Sequence, residues 1–418
     1  MSLARAQEAN QDEERHAPQI EIPDFSNLDE YIYEPRSTVT LAYRFLSGAK
    51  TSFSGHGSIL SADYVGDATT PNLVRTYHDG QVRPDARNTS RTDTSGNGFI
   101  DPSGTTTGAD PIPQDGKTNN WTFSDARQVG PDVPNGFVAF HSYSAAVTDD
   151  TVRTQNSKSN SGLDLAMARD MGKLWKGKIT WKILGGISVN DISSKTTAAV
   201  KADLRTIRDL YSLYGQKVPD ATVQALAPSL PYISPSVGTQ TVYDASGNAV
   251  TNSDGSLQTV PVDTSILISN APVNRSDVTV SNGTAVIDQW HIKGSYVTLR
   301  GGPQLMIPIT SRFHAELSAG FVLVYAGTSY SVTQTFTPEI GDDLVEVDTN
   351  TVYRWRPGYF ADASLQFDLT DKAGFFAGAV YQSAGSYTQN LDTSTAKYAT
   401  KVDLTNENGV RAGMSIRF

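Results

Sequence analysis

The chain ends on Val410-Arg411-Ala412-Gly413-Met414-Ser415-Ile416-Arg417-Phe418, which alternates apolar and polar residues without a break. Successive side chains of an extended strand point to opposite faces. Val410, Ala412, Met414, Ile416 and Phe418 therefore share one greasy face, and Arg411, Gly413, Ser415 and Arg417 share the other. About 9–11 tilted residues carry a strand across a bilayer, and this segment has that length.

The same two-residue period recurs upstream. Val39, Leu41, Tyr43 and Phe45 form one strand face opposite Thr38, Thr40, Ala42 and Arg44. Leu163, Leu165 and Met167 form another, and so do Ile179, Trp181, Ile183, Ile187 and Val189. Alternation is most regular in residues 295–309, from Phe313 to Tyr325, from Ala361 to Leu369 and from Phe375 to Tyr381. Short turns at 173–178, Thr310-Ser311-Arg312 and Thr370-Asp371-Lys372 join these segments in pairs. The pattern predicts an all-β chain of about eight antiparallel strands, or ten if residues 51–60 and 137–145 also cross.

No apolar run approaches the roughly eighteen residues of a membrane helix, which excludes a helical membrane protein but not a barrel. A formal charge of −10 argues against a nucleic-acid partner, which calls for a basic face. The absence of cysteine rules out disulfides and thiolate metal sites. Residues 1–36 read as a signal remnant, on Ala4-Arg5-Ala6, followed by an acidic, proline-punctuated lead-in.

Two stretches, at about 47–160 and 195–285, lose the period and are rich in turn-forming residues, so they are expected to be large surface loops. Within the second, Val200, Leu204, Ile207, Tyr211 and Tyr214 recur at helical spacing before Gly215, which predicts a helix over 196–214.

The closing strand to Phe418, with the strands and turns above, resembles the architecture of small bacterial outer-membrane β-barrels of the OmpA/OmpX type. That resemblance implies a closed antiparallel transmembrane barrel over 37–418, extracellular loops and both termini in the periplasm. It also implies outer-membrane lipid and the barrel-assembly machinery as partners, with Val410, Ala412, Met414, Ile416 and Phe418 as the terminal insertion signal. The loops offer a surface for an extracellular partner.

Arg44, Arg300, His314, Glu316, Asp362, Gln366, Asp368, Arg411 and Arg417 lie opposite the apolar stripes and should point inward. In a barrel of about eight strands side chains just fill the interior, and buried charges there must pair. The expectation is a salt-bridged core; with more strands the same groups would line a pore. His314, Glu316 and Ser318 are the most triad-like group, yet residues two apart on a strand stand nearly 7 Å apart. Neither a Gly-x-Ser-x-Gly elbow nor a His-Glu-x-x-His helix occurs.

Asp93, Ser95, Asn97, Phe99 and Asp101 match the first nine positions of an EF-hand calcium loop, but position twelve is Gly104 rather than glutamate. A plain exposed turn uses the same residue types, so Ca²⁺ is a weak candidate and no other cofactor is expected. The leading functional reading is non-enzymatic: an envelope-structure or surface-interaction protein with a charge-filled interior. A porin-like channel for small solutes is second, and a lipid-modifying hydrolase third.

Overall fold

A computed structural model describes residues 36–61, 63–85, 115–156, 160–216, 238–241, 248–262 and 266–418. Its regular structure is β-strand, apart from one 3₁₀ turn at Ala126–Val129 among the described residues. Eight strands make a ring: β1 (Ser37–Ser47), β2 (Asn160–Leu174), β3 (Ile179–Ser212), β4 (Asn274–Pro308), β5 (Phe313–Phe336), β6 (Leu344–Asp368), β7 (Ala373–Ser383) and β8 (Glu407–Arg417). Each pairs antiparallel with the next, and β8 pairs with β1 from Thr38↔Arg417 to Ser47↔Asn408. Closure leaves no strand edge with unpaired backbone groups at this level.

Two of the short turns repeat one device. The Thr310 hydroxyl accepts from the Arg312 and Phe313 amides, and the Thr370 hydroxyl accepts from those of Lys372 and Ala373. The third uses Trp175 and Lys176 at positive φ, followed by Gly177. All three turns lie at the end of the ring where Ser37 and Phe418 exchange backbone hydrogen bonds.

Most of these strands continue upward into a second tier. Beyond Ser47 the chain kinks at Gly48 and runs on as Lys50–Ile59, which pairs with Ala396–Asp403 and, in part, with Arg153–Asn156 and Phe137–Val147. Gly48 has φ +102°, and a Cβ there would lie 2.0 Å from the Asn406 carbonyl oxygen, so glycine alone fits this corner.

Polarity reverses between the tiers, as β5 shows within one strand. At its lower end Phe313, Leu317 and Phe321 are exposed while His314, Glu316 and Ser318 are buried. At its upper end Val324, Tyr330, Val332 and Phe336 are buried, and Ser329, Ser331, Thr333 and Thr335 face outward. The upper interior is an aromatic plug in which Phe53 stacks on Trp290 and on Tyr330, with ring centroids 6.5 and 6.0 Å apart. Each such side chain contributes roughly 1.5–3 kcal/mol by leaving water.

The helix predicted over 196–214 is absent: those residues are strand to Ser212. The β3–β4 register shifts between Val200 and Ala202 and again between Ala202 and Leu204. Each irregularity puts an extra residue on β4, while β3 runs unbroken with Val200 and Leu204 on one face and Ile207 and Tyr211 on the other. Apolar residues drawn from both faces give the spacings of three and four that imitate a helix. The two expected loops are correspondingly less loop-like, since β3 and β4 pair up to Leu210↔Asn274 and Phe137–Val147 pairs with the top of β3. Residues 51–60 and 137–145 are strands of the upper tier and do not enter the lower ring. The signal remnant lies outside the described residues.

Candidate functional site

The interior of the lower ring holds a closed quartet of alternating charges. Arg300 on β4 reaches Asp164 on β2 at 2.7 Å and Asp362 on β6 at 3.2 Å. Arg411 on β8 reaches the same two carboxylates at 3.2 and 2.6 Å. All four are buried, so four strands are tied across the interior at one level. Taking an ion out of water costs several kcal/mol, and each member offsets this with two opposite charges. Above the quartet, Arg300 lies over the Phe360 ring at 5.6 Å, and below it, nearer the turns, Arg411 lies over Phe376 at 5.1 Å.

Three further groups fill the same interior. Arg44 donates to Ser188 at 2.7 Å and to Gln382 at 2.6 Å; Gln382 donates in turn to Glu407, which also accepts from the Tyr296 hydroxyl. Lys182 lies 4.0 Å from Glu316 and 3.5 Å from Asp170. At the mouth nearest the turns, Asp368 binds His314 Nε2 at 2.7 Å, Arg417 at 3.0 Å and the Gln366 amide at 2.8 Å. A cavity of about 10 Å³ remains among Thr40, Leu184, Gln304, Glu316 and Arg411, room for about one water.

Of the expected inward groups, Arg44, Arg300, Glu316, Asp362, Gln366 and Arg411 are buried in this interior, and His314, Asp368 and Arg417 close its mouth. Val410, Ala412, Met414, Ile416 and Phe418 face outward. Sequence reasoning passed over Asp164, Lys182, Ser188 and Glu407, although the first three are polar positions inside recognised alternating strands. His314 is engaged with Asp368, and the Ser318 hydroxyl has no partner among the described residues, so no nucleophile–base pair forms there. The calcium-loop residues Asp93, Ser95, Asn97, Phe99 and Asp101 lie outside the described residues, among which no group of three metal-ligating side chains occurs.

Two polar clusters stand at the upper end, and neither was foreseen. Asp79 accepts from both the His141 amide and Nδ1, each at 2.7 Å, and burial pushes the Asp79 carboxyl above the usual carboxylate range. Such a pairing fixes the imidazole, but no hydroxyl is hydrogen-bonded to the ring among the described residues, which leaves the dyad without a nucleophile. Asp209 binds Arg275 through both carboxylate oxygens at 2.6 Å and accepts from the Tyr77 hydroxyl, which also meets Tyr211 at 2.8 Å. Hydrogen bonds to Asp209 hold the Arg275 guanidinium above its ordinary range. This cluster pins the small sheet of Arg75–Tyr77, Gly80–Val82 and Trp121–Phe123 onto β3.

No protein-family model matches the sequence, and no curated protein does. Similar solved structures include the outer membrane protease OmpT of Escherichia coli, at 7% identity and TM-score 0.28 over 92% of this chain and 97% of that one. The attachment invasion locus protein Ail of Yersinia pestis gives 7% identity and TM-score 0.18, over 90% of this chain and 99% of that one. A FadL homologue of Pseudomonas aeruginosa gives 8% and 0.17, over 92% of this chain and 90% of that one. Likeness at this level carries no functional argument, and the eight-strand ring rests on its own pairing.

Proposed function

We propose that the chain is an integral outer-membrane β-barrel and a non-conducting envelope protein, whose upper tier and loops provide structure or contact something outside. The reversal of polarity along β5 carries this reading. A greasy outer face over a charged inner one suits strands in hydrocarbon, and a hydroxyl-rich outer face over an apolar inner one suits strands in water. Leu41, Leu165, Ile187, Leu299, Leu365 and Met414 continue the lower band around the ring, all exposed. Trp175 at the turns and Tyr353 and Trp355 at the other limit stand where an interfacial aromatic belt would lie. On this reading both termini face the periplasm, the large loops are extracellular, and the apolar face ending in Phe418 serves assembly.

The quartet below and the aromatic plug above favour a sealed interior over a channel, because an eight-stranded ring has no room for both side chains and an aqueous path. Planar-bilayer recording of the refolded protein tests this. A silent bilayer containing inserted protein is expected; discrete conductance steps would favour the porin-like alternative instead. The hydrolase alternative needs an activated nucleophile, and lipid hydrolysis lost in His141→Ala or Ser318→Ala would restore it.

A further inference from the structure

Directly above the lower band the outer wall carries a shelf of ammonium and hydroxyl donors. The strand register stacks it in tiers across β3, β4, β5 and β6. Val189, Val297, Tyr325 and Trp355 form the last apolar tier. Two tiers above it, Ser193, Lys293, Ser329 and Thr351 stand side by side, and above them Lys195 pairs across to His291, beside Ser331. A groove of about 640 Å³ opens on the lower of these donor tiers. Its depth comes from Gly327, where a Cβ would lie 3.2 Å from the Tyr353 ring, and its walls include Tyr325 and Tyr353, stacked with centroids 6.0 Å apart.

Among the described residues neither Lys195 nor Lys293 has a carboxylate within salt-bridge reach. Partial burial and then the two lysines hold the His291 imidazole below its ordinary pKa, so the local field is positive. Asp191 lies in the tier beneath Lys293 and confines an anion to the two upper tiers. From this arrangement we infer that the shelf binds the phosphate group of a membrane lipid, whose chains run down over Val297, Val189 and Leu299. The inference rests on the barrel reading. The occupant is a lipid because the groove opens sideways onto the apolar band, where a tailed anion gains burial that a free phosphate does not.

The test uses the full chain in phosphatidylcholine nanodiscs containing a minority of phosphatidic acid, with retained lipid counted by native mass spectrometry. Wild-type protein should retain phosphatidic acid preferentially, by about fivefold per lysine. Lys195→Gln with Lys293→Gln should abolish the preference, and Gly327→Leu, which fills the groove with both lysines intact, should lower it. An unchanged preference in the double variant overturns the inference. Excess inorganic phosphate distinguishes the sources: unaltered retention supports a lipid headgroup, whereas full displacement assigns the shelf to free anions and also overturns it. Insertion without lipid preference defeats this inference alone; failure to insert defeats the barrel reading with it.

Discussion

Arg411 on the last strand closes on Asp362 at 2.6 Å across the interior of the ring, and both side chains are buried. Removing one partner strands the other. Asp362→Ala is expected to cost about 3–5 kcal/mol, the range for breaking a buried pair. Combining it with Arg411→Ala should cost clearly less than the sum of the two single changes. Urea unfolding in detergent micelles measures both, and strict additivity would show that the quartet is not one unit.

The plug and the quartet stand at separate levels of the interior. Phe53→Ala should lower stability by about 3–5 kcal/mol, the usual range for truncating a packed aromatic residue. It should nonetheless leave bilayers silent, because the charged tier below remains filled. Conductance appearing in this variant would mean that the lower ring does not seal by itself.

Asp288 sits in the upper interior, where it accepts from Gln334 and Tyr398, and burial pushes its carboxyl up to about 6. A raised acid binds its proton more tightly in the folded than in the unfolded chain. Its contribution is therefore fully present below about pH 4 and is lost as pH rises through about 6, worth roughly 2–3 kcal/mol. Urea midpoints at pH 4 and pH 7.5 should fall more steeply for wild type than for Asp288→Asn; equal slopes would remove Asp288 as the cause.

At the corner between the tiers, Gly48→Ala places a methyl against the Asn406 carbonyl and forces a positive φ on an L-residue. The expected penalty exceeds about 1 kcal/mol. The same substitution at Gly177, also at positive φ but with open space around its Cβ, should cost less. Paired thermal melts compare the two, and equal losses would mean that conformation rather than the close approach governs the corner.

The alternation from Phe313 to Tyr325 made the lower half of β5 readable, and reading stopped there because apolar residues cease to fall on odd positions. Tyr330, Val332 and Phe336 resume the pattern on even ones. That change of parity was present in the sequence and marks where the buried face of the strand turns from polar to apolar. In β3 the apolar residues pass from one face, at Val200 and Leu204, to the other, at Ile207 and Tyr211, which turned the same signal into helical spacing.

By itself, then, the sequence determined which segments are extended, which of their faces are greasy and which charges stand opposite those faces, because a two-residue period is a property of neighbouring residues. Only the tertiary structure decided that Asp164 meets Arg300, 136 residues away, and that β8 seals against β1. Register between distant strands is chosen by how all the faces pack together, and no single strand contains it.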